Sequence, residues 1–382
     1  MGDNKKVGVI IGGSGLIGGT LLHYFKKNAS GTVDIYAPNS KKLSLREPED
    51  IHLYLDKWRP DFIINTAIAS LDSDPQLALE VNYLGGIHLA KKAMELRVPY
   101  IYVSSAATQP LGENLAESEM LELTADLSNY AKSKLMTELT LDHLHKTQGL
   151  DYSTIRLSIV YGKHDHKIQG FHRMLFTIMS GAMPFLFTKP GVMHSYSNAR
   201  KLPFFVHHVL SHRREFTGKT INFVDRSPVE LAQLVLTIKN YLELSRPRGI
   251  YIPRLVAGLG KKCVEGVIKG LAGIGVEARM PAELMFLDNC YQTQTLSCKQ
   301  LEASSFEDPY PEETVFTALP ELIQYYLTRW EHLNLVSEYN KEFFDPNRRA
   351  EQFLNSPREY LNAICSGAED PFTMASDPCQ KE

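Results

Sequence analysis

The chain has 382 residues, of which 43% are hydrophobic and 22% charged, and its net charge is −3. That length suits one large α/β unit with a smaller appendage, and the charge balance excludes a global basic field of the kind that recruits nucleic acid. Five cysteines with no CxxC pair speak against a disulfide framework, no apolar run reaches membrane-spanning length, and only six residues precede the first strand-like run, too few for a signal peptide. A cytoplasmic setting is expected.

Val7-Gly8-Val9-Ile10-Ile11 is a continuous apolar run, as a strand buried on both faces of a parallel sheet requires. A glycine loop follows, then a helix through Leu21, Leu22, Tyr24 and Phe25. Val33-Asp34-Ile35-Tyr36 predicts a second strand, Ile51 to Leu55 a helix, and residues 61–65 a third strand. Residues 77–96 predict a helix, 100–103 a strand, 130–145 a helix and 154–160 another strand. This alternation implies an α/β fold, a doubly wound parallel sheet of the Rossmann type with right-handed crossovers. Beyond Gly162 the rhythm breaks. Residues 163–201 are rich in Phe, Met, Gly and His, 220–224 predict one more strand, and 228–242 an amphipathic helix with Leu231, Leu234, Val235 and Ile238 on one side. Residues 1–162 are therefore expected to form a dinucleotide-binding core completed by about 203–243. Residues 163–202 and 244–328 would make a smaller, mixed substrate lobe, and 329–382 a C-terminal extension, helical in part and disordered toward its end, read as solvated decoration with a partner interface as the alternative.

The loop at the first strand–helix junction reads Gly12-Gly13-Ser14-Gly15-Leu16-Ile17-Gly18. Gly12 permits a tight turn, Gly15 removes a Cβ where a pyrophosphate approaches, and Gly18 lets the helix pack close to the sheet. The free N–H groups and the dipole of the helix start favour phosphate. Gly12, Ser14, Gly15, Leu16, Ile17 and Gly18 are thus candidate cofactor contacts. NAD sites usually carry an acid at the end of the second strand. Here that region reads Tyr36-Ala37-Pro38-Asn39-Ser40-Lys41-Lys42, without a carboxylate and with two lysines suited to a 2′-phosphate. Asn39, Ser40 and Lys41 are candidate contacts, and NADP is preferred over NAD.

Tyr130 and Lys134 are four apart and share a helix face. A nearby ammonium and an oxidised nicotinamide both favour the phenolate, which brings a tyrosine within reach of proton transfer at neutral pH. Ser105, at the end of a strand, would polarise a substrate carbonyl; Ser104 is its rival. Other signals carry less. His143/His145, His164/His166 and His207/His208 lack a partner that completes a zinc spacing, so no metal is expected. His164 and His166 follow Gly162 and admit a substrate contact beside the plainer surface-loop reading. Residues 250–274 mix Leu255, Leu259, Val267 and Leu271 with Lys261, Lys262 and Lys269, as lobe packing or a peripheral membrane contact would. Phe171, Phe176, Met179, Met183, Phe185, Phe187 and Met193 suit either core or an apolar pocket wall.

The chain resembles the extended short-chain dehydrogenase/reductase (NAD-dependent epimerase/dehydratase) family over about residues 5–245. The matching pieces are the GxxGxxG loop, Asn65-Thr66-Ala67, Val81-Asn82-Tyr83-Leu84-Gly85, Val103-Ser104-Ser105, Tyr130-Ala131-Lys132-Ser133-Lys134 and the run from Arg156 to Gly162. The resemblance implies catalytic roles for Ser105, Tyr130 and Lys134. It lays Thr66, Ala67 and Ile68 along the cofactor, gives Asn82 an ordering role at the site, and adds Ser104, Leu157 and Ile159 as cofactor contacts. Early segments are most similar to dehydrorhamnose reductase and fucose synthase relatives, which favour NADPH. The chain departs from the family at Leu157, usually Pro, at Val206-His207-His208-Val209, usually Val-Asp-Asp-Val, and at Thr66, usually Ala. The implied activity is hydride transfer between nicotinamide C4 and a substrate carbinol or ketone. The substrate would be a nucleotide-activated sugar, with Arg173, Arg200 and Arg248 as candidate diphosphate ligands, or a sterol- or acyl-type lipid. A catalytically idle dinucleotide sensor or scaffold is the alternative. Relatives often dimerise through the Tyr130 helix and the one before it.

Overall fold

The computed structural model describes residues 5–71, 73–167, 170–179, 185–242, 250–273, 287–333 and 356–366. Six parallel strands form the central sheet: β1 (Lys6–Ile11), β2 (Val33–Tyr36), β3 (Phe62–Asn65), β4 (Tyr100–Ser105), β6 (Tyr152–Leu157) and β10 (Lys219–Phe223), in the order β10-β6-β4-β3-β1-β2. Side chains alternate between the faces with the strand period of two. On one face Ile10, Ile64, Ile101 and Ile155 meet Leu21 and Phe25 of α1 (Leu16–Asn28) and Phe205, Val206 and Val209 of α7 (Leu202–Ser211). On the other, Val9, Ile11, Ile63 and Tyr102 meet α2 (Pro48–Trp58), α4 (Gly85–Leu96) and α5 (Asn129–Gln148) through Ile51, Leu55, Leu89, Ala93 and Leu141. Burial on both faces is why β1 and β3 are almost wholly apolar, whereas β6 and β10 also bury Ser153, Thr154, Arg156 and Asn222. β2 and β3 flank β1 on opposite sides, so the strand order reverses there. In open α/β sheets ligands bind at that switch point, beyond the carboxyl ends of the strands.

The expected strand over 154–160 is two strands. β6 ends at Leu157, and β7 (Ile159–Tyr161) pairs instead with β9 (Tyr196–Asn198), because the Ser158 N–H donates to Ser197 Oγ at 2.9 Å and turns the chain away. The helix expected over 77–96 begins with the turn α3 (Pro75–Leu77) and passes through a π-helical segment, Ala78–Leu84, before α4. β5 (Gly112–Leu115), not anticipated, leaves the first domain. It pairs with β12 (Gln294–Leu296) in a second, mixed sheet of order β11-β8-β12-β5, with β8 at Met193–His194 and β11 at Val229–Glu230.

The second lobe has its own core. Phe171, Leu175 and Ile178 of α6 (Gly170–Met179) pack with Leu231, Leu234, Val235 and Ile238 of α9 (Leu231–Tyr241) and with Val315, Leu319, Ile323, Tyr326 and Trp330 of a helix spanning Val315–His332. Of the Phe and Met side chains of this insert, Phe171 is core and Phe176 and Met179 pack against it, whereas Phe185 is exposed; Met183 lies outside the described residues. The last of these helices crosses the boundary expected at 328/329, and Trp330 is fully buried. The same helix clasps the segment after β7. Tyr326 donates to the Gly162 carbonyl (2.7 Å), Tyr325 meets His164 Nδ1 (3.1 Å), Arg329 donates to His166 Nδ1 (2.8 Å), Trp330 donates to His172 Nε2 (2.9 Å), and Lys163 pairs with Glu321. In the extension, Pro357–Cys365 is helical; 334–355 and 367–382 lie outside the described residues.

Candidate active site

The glycine loop leaves β1 at the switch point. Gly12 sits at φ +87°, where a side chain would be strained, and a Cβ there would lie 2.7 Å from Thr66 Oγ1. A Cβ on Gly18 would lie 2.3 Å from the Gly12 carbonyl oxygen, so α1 packs against the turn only because Gly18 has none. Gly15 caps α1 with no side-chain hydrogen bond, and the first turn, from Leu16 and Ile17, carries no acid, which leaves its N–H groups and dipole directed at the crevice. Ser14 is exposed beside it. Thr66 and Ala67 stand against this turn. Thr66 Oγ1 donates to the Ile11 carbonyl (2.8 Å), and the Ala67 N–H donates to Asn65 Oδ1 (3.1 Å). Ile68 follows, half-buried. The hydroxyl that Thr66 carries where relatives have Ala thus ties β1 to β3. These features are the cradle a dinucleotide pyrophosphate requires, and the residues present fit one.

Past β2, Asn39 Oδ1 accepts from the backbone N–H of both Lys41 and Lys42, at 3.2 Å each, and its carbonyl accepts from Lys42 and Leu43. Asn39, Ser40 and Lys41 form an exposed turn. Asp34, the acid of β2, pairs with Lys5 (3.5 Å). No carboxylate lies in the turn to repel a 2′-phosphate.

Ser105 ends β4, and Tyr130 is the second residue of α5, whose start is fixed by Ser128 Oγ accepting from the Ala131 N–H (3.1 Å). The structure brings them together. The Ser105 hydroxyl faces the Tyr130 phenol; burial holds the phenol above its usual range, and the neighbouring Ser105 acts against that. Lys134, one turn on, is sealed beneath. Its Nζ donates to the Val103 carbonyl (2.8 Å) and lies 4.6 Å from the centroid of the Tyr102 ring. Burial lowers its pKa to about 7, opposed by the Glu138 carboxylate. Ser104 points the other way. It is buried and donates to Glu138, which leaves Ser105 as the hydroxyl beside Tyr130.

Glu138 and Arg156 were not anticipated. Arg156 Nη2 meets Glu138 Oε2 at 2.6 Å, with both side chains almost fully buried, and Nη1 donates to the Glu117 carbonyl (2.7 Å). This pair joins α5 to β6 directly behind Lys134. Asn82, in the π-helical segment, accepts from the Ala69 N–H (2.7 Å) and donates to Ser133 Oγ (3.1 Å), so it links the β3 loop to α5. Its amide is thus bonded at both its oxygen and its nitrogen. The Gln294 amide donates toward the carbonyls of Ala106, Gln109 and Pro110 at 3.0–3.2 Å and holds the loop that follows Ser105. Glu138 and Arg156 look like ordinary surface charges in sequence. The four-residue spacing of Lys134 and Glu138 on one helix face was the available signal.

Leu157 is buried in the sheet core and Ile159 half-buried against the second lobe's core. Beside them Gly162 stands near the start of α1, where a Cβ would lie 3.7 Å from Leu16. His207 Nδ1 meets Tyr24 (3.1 Å) and His208 Nε2 meets Ser305 (2.8 Å), so the histidines that replace the family's acids tie α7 to its neighbours. His164 and His166 are engaged by Tyr325 and Arg329. Among the described residues no cluster suits a metal ion, and no helix is long and apolar enough to cross a membrane. Arg200 is committed to Glu313 (3.0 Å) and the Tyr310 ring, Arg173 is half-buried on α6, and Arg248 lies outside the described residues.

Residues 9–186 match the family model described as "NAD dependent epimerase/dehydratase family". The chain is 26% identical over 168 residues to a GDP-L-colitose synthase of Yersinia pseudotuberculosis, covering 41% of this chain and 54% of that protein. It is 28% identical over 142 residues to an ADP-L-glycero-D-manno-heptose-6-epimerase of Pseudomonas aeruginosa, covering 32% and 42%. The matches span about half the length of these curated relatives. Similar solved structures include a GDP-mannoheptose C4 reductase from Campylobacter jejuni with NADP bound (TM-score 0.63, 11% identity, 85% of this chain and 98% of that one) and a Thermus thermophilus UDP-glucose 4-epimerase in complex with NAD (0.60, 18%, 84% and 99%). These likenesses extend the shared fold well past the matched segment. Over residues 9–186, just under half of the chain, the sequence is that of the NAD-dependent epimerase/dehydratase family model, and the fold is shared with solved structures of such enzymes.

Proposed function

We propose that the protein is an NADP-preferring oxidoreductase acting on the carbonyl or carbinol carbon of a nucleotide-activated sugar. The observation that carries this is the Ser105–Tyr130 hydroxyl pair set over buried Lys134, at the carboxyl end of β4 beside the glycine cradle. Gly12, Gly15 and Gly18 would hold the pyrophosphate, and the Asn39 turn with Ser40, Lys41 and Lys42 the 2′-phosphate. Bound nicotinamide supplies or accepts the hydride. In the reducing direction Ser105 donates a hydrogen bond to the substrate oxygen. Tyr130 gives its phenolic proton to that oxygen, and Lys134 stabilises the phenolate left behind. In the oxidising direction the phenolate takes the proton back.

The sugar is favoured over a lipid by the names of the curated relatives and by the packing of Phe171, Leu175 and Ile178 into core rather than a pocket wall. A cytoplasmic setting and a homodimer through α4 and α5 belong to the same reading. Leu84 and Leu139 are exposed on or beside those helices, and the four described cysteines are free thiols. Tyr130→Phe should cut turnover by at least ~10²-fold while NADPH binding, read by fluorescence titration, is retained. Near-normal turnover contradicts the role of the phenol. Intact NADPH binding with no turnover of any sugar nucleotide by the unaltered protein points instead to an idle sensor. Tighter binding of NADH than of NADPH rejects the cofactor assignment.

A further inference from the structure

Tyr130, Lys134 and Glu138 follow one another at four-residue steps and stand in one row along α5. Lys134 and Glu138 are both almost wholly buried. Two groups close to Lys134 Nζ carry no charge: the Val103 carbonyl at 2.8 Å and the Tyr102 ring, whose centroid lies at 4.6 Å. An ammonium so placed has lost its water and gained little in exchange, and burial drives it toward the neutral amine. The proton transfer proposed for Tyr130 needs the opposite, because only the charged form steadies a phenolate.

The carboxylate that opposes this loss is Glu138. Three elements fix its oxygens. Ser104 of β4 donates to Oε1, and Thr108 Oγ1, in the turn Ala106–Thr108, lies 3.2 Å from the same atom. Arg156 of β6 closes from behind, through Nε to both oxygens (3.1 and 3.0 Å) and through Nη2 to Oε2 (2.6 Å). These donors hold a charge in place; none of them leads a proton away. Glu117, the other acid of this layer, turns its carboxylate to the Asn222 N–H (3.1 Å) and meets Arg156 through its backbone carbonyl (2.7 Å). A buried ion pair adds little stability over apolar side chains of the same size. Joining α5 to β6 is therefore a weak reason for this one, and its place behind Lys134 supplies a better one.

We infer that Glu138 is a positioning residue of the proposed reaction: with its carboxylate fixed by Arg156, Ser104 and Thr108, it keeps Lys134 charged beneath Tyr130 before the dinucleotide arrives. The catalytic meaning rests on the role proposed for Tyr130 and Lys134. The charge on Lys134 does not, and it can be read without nucleotide or substrate.

The test is the titration of Lys134 in the nucleotide-free, full-length protein, followed by carbon-13 NMR of labelled lysine side chains. The Lys134 signal is the one lost in Lys134→Met. Its midpoint is expected at about pH 7. Glu138→Gln should lower it, but leaves the Arg156 guanidinium unopposed, which repels the ammonium and weakens the fold. Glu138→Leu combined with Arg156→Met removes both charges. In that double variant the melting temperature should return toward that of the unaltered protein, while the Lys134 midpoint still falls by about one pH unit. A purely structural pair predicts the recovery without the fall, so an unmoved midpoint in the double variant overturns the inference, whatever the single variant shows. In turnover of a sugar nucleotide with NADPH, the alkaline loss of activity should begin about one pH unit lower in the double variant. No turnover by the unaltered protein overturns the reaction and with it the positioning role, whereas the shift in midpoint stands or falls alone.

Discussion

Replacing Lys134 with methionine should abolish turnover with nucleotide and substrate, yet make the nucleotide-free protein more resistant to unfolding at neutral pH. The ammonium is almost completely buried, its pKa falls from 10.5 to about 7, and burial is the main cause. An unfolded chain keeps this proton up to near pH 10.4, the folded chain only to about pH 7. Between those values the unfolded state binds more protons, so this group's penalty is full below about pH 7 and fades as pH rises. At about 1.4 kcal/mol per pKa unit the penalty is ~4 kcal/mol near pH 7 and ~1 kcal/mol near pH 9.5. Methionine removes it at both, while losing the hydrogen bond to the Val103 carbonyl costs about 1–3 kcal/mol at either pH. Urea unfolding of both proteins at the two pH values reads the difference. The stability gap should favour the variant by about 3 kcal/mol more near pH 7 than near pH 9.5. A gap independent of pH refutes the reasoning.

Arg156→Met leaves Glu138 buried without its partner and should cost about 3–5 kcal/mol of unfolding free energy, much of it recovered when Glu138→Leu is added. Gly18→Ala places a Cβ against the Gly12 carbonyl and should cost about 1–3 kcal/mol with a matching loss of NADPH affinity, read by titration and thermal melting. Trp330→Ala should cost about 3–5 kcal/mol, where a surface tryptophan would cost almost nothing.

The sheet was legible because strands buried on both faces are mostly apolar, as the runs up to Ile11 and Ile64 are. The glycine spacing was legible because close approach between α1 and the β1 turn excludes a side chain at Gly18. Ser105, Tyr130 and Lys134 could be named from strand end and helix spacing, which are where they stand, at the end of β4 and in the first turns of α5. What stayed hidden rests on long-range pairing. The break at Ser158 depends on Ser197, β5 on β12, and the burial of Arg156 on a glutamate of another element. Trp330 opened what looked like a solvated extension, because a charged neighbourhood says nothing about the ring of His172 waiting opposite.

The clasp on the segment after β7 bears on how the protein is made. Gly162, His164 and His172 leave the ribosome some 160 residues before Tyr326, Tyr325 and Trp330, a delay of roughly ten to thirty seconds at ordinary elongation speeds. The nucleotide-facing half can therefore mature while α6 still lacks its cover, and the newborn lobe leaves Phe171 and Leu175 uncovered until the helix Val315–His332 arrives. Loss of the last sixty residues would leave that half-built state permanent.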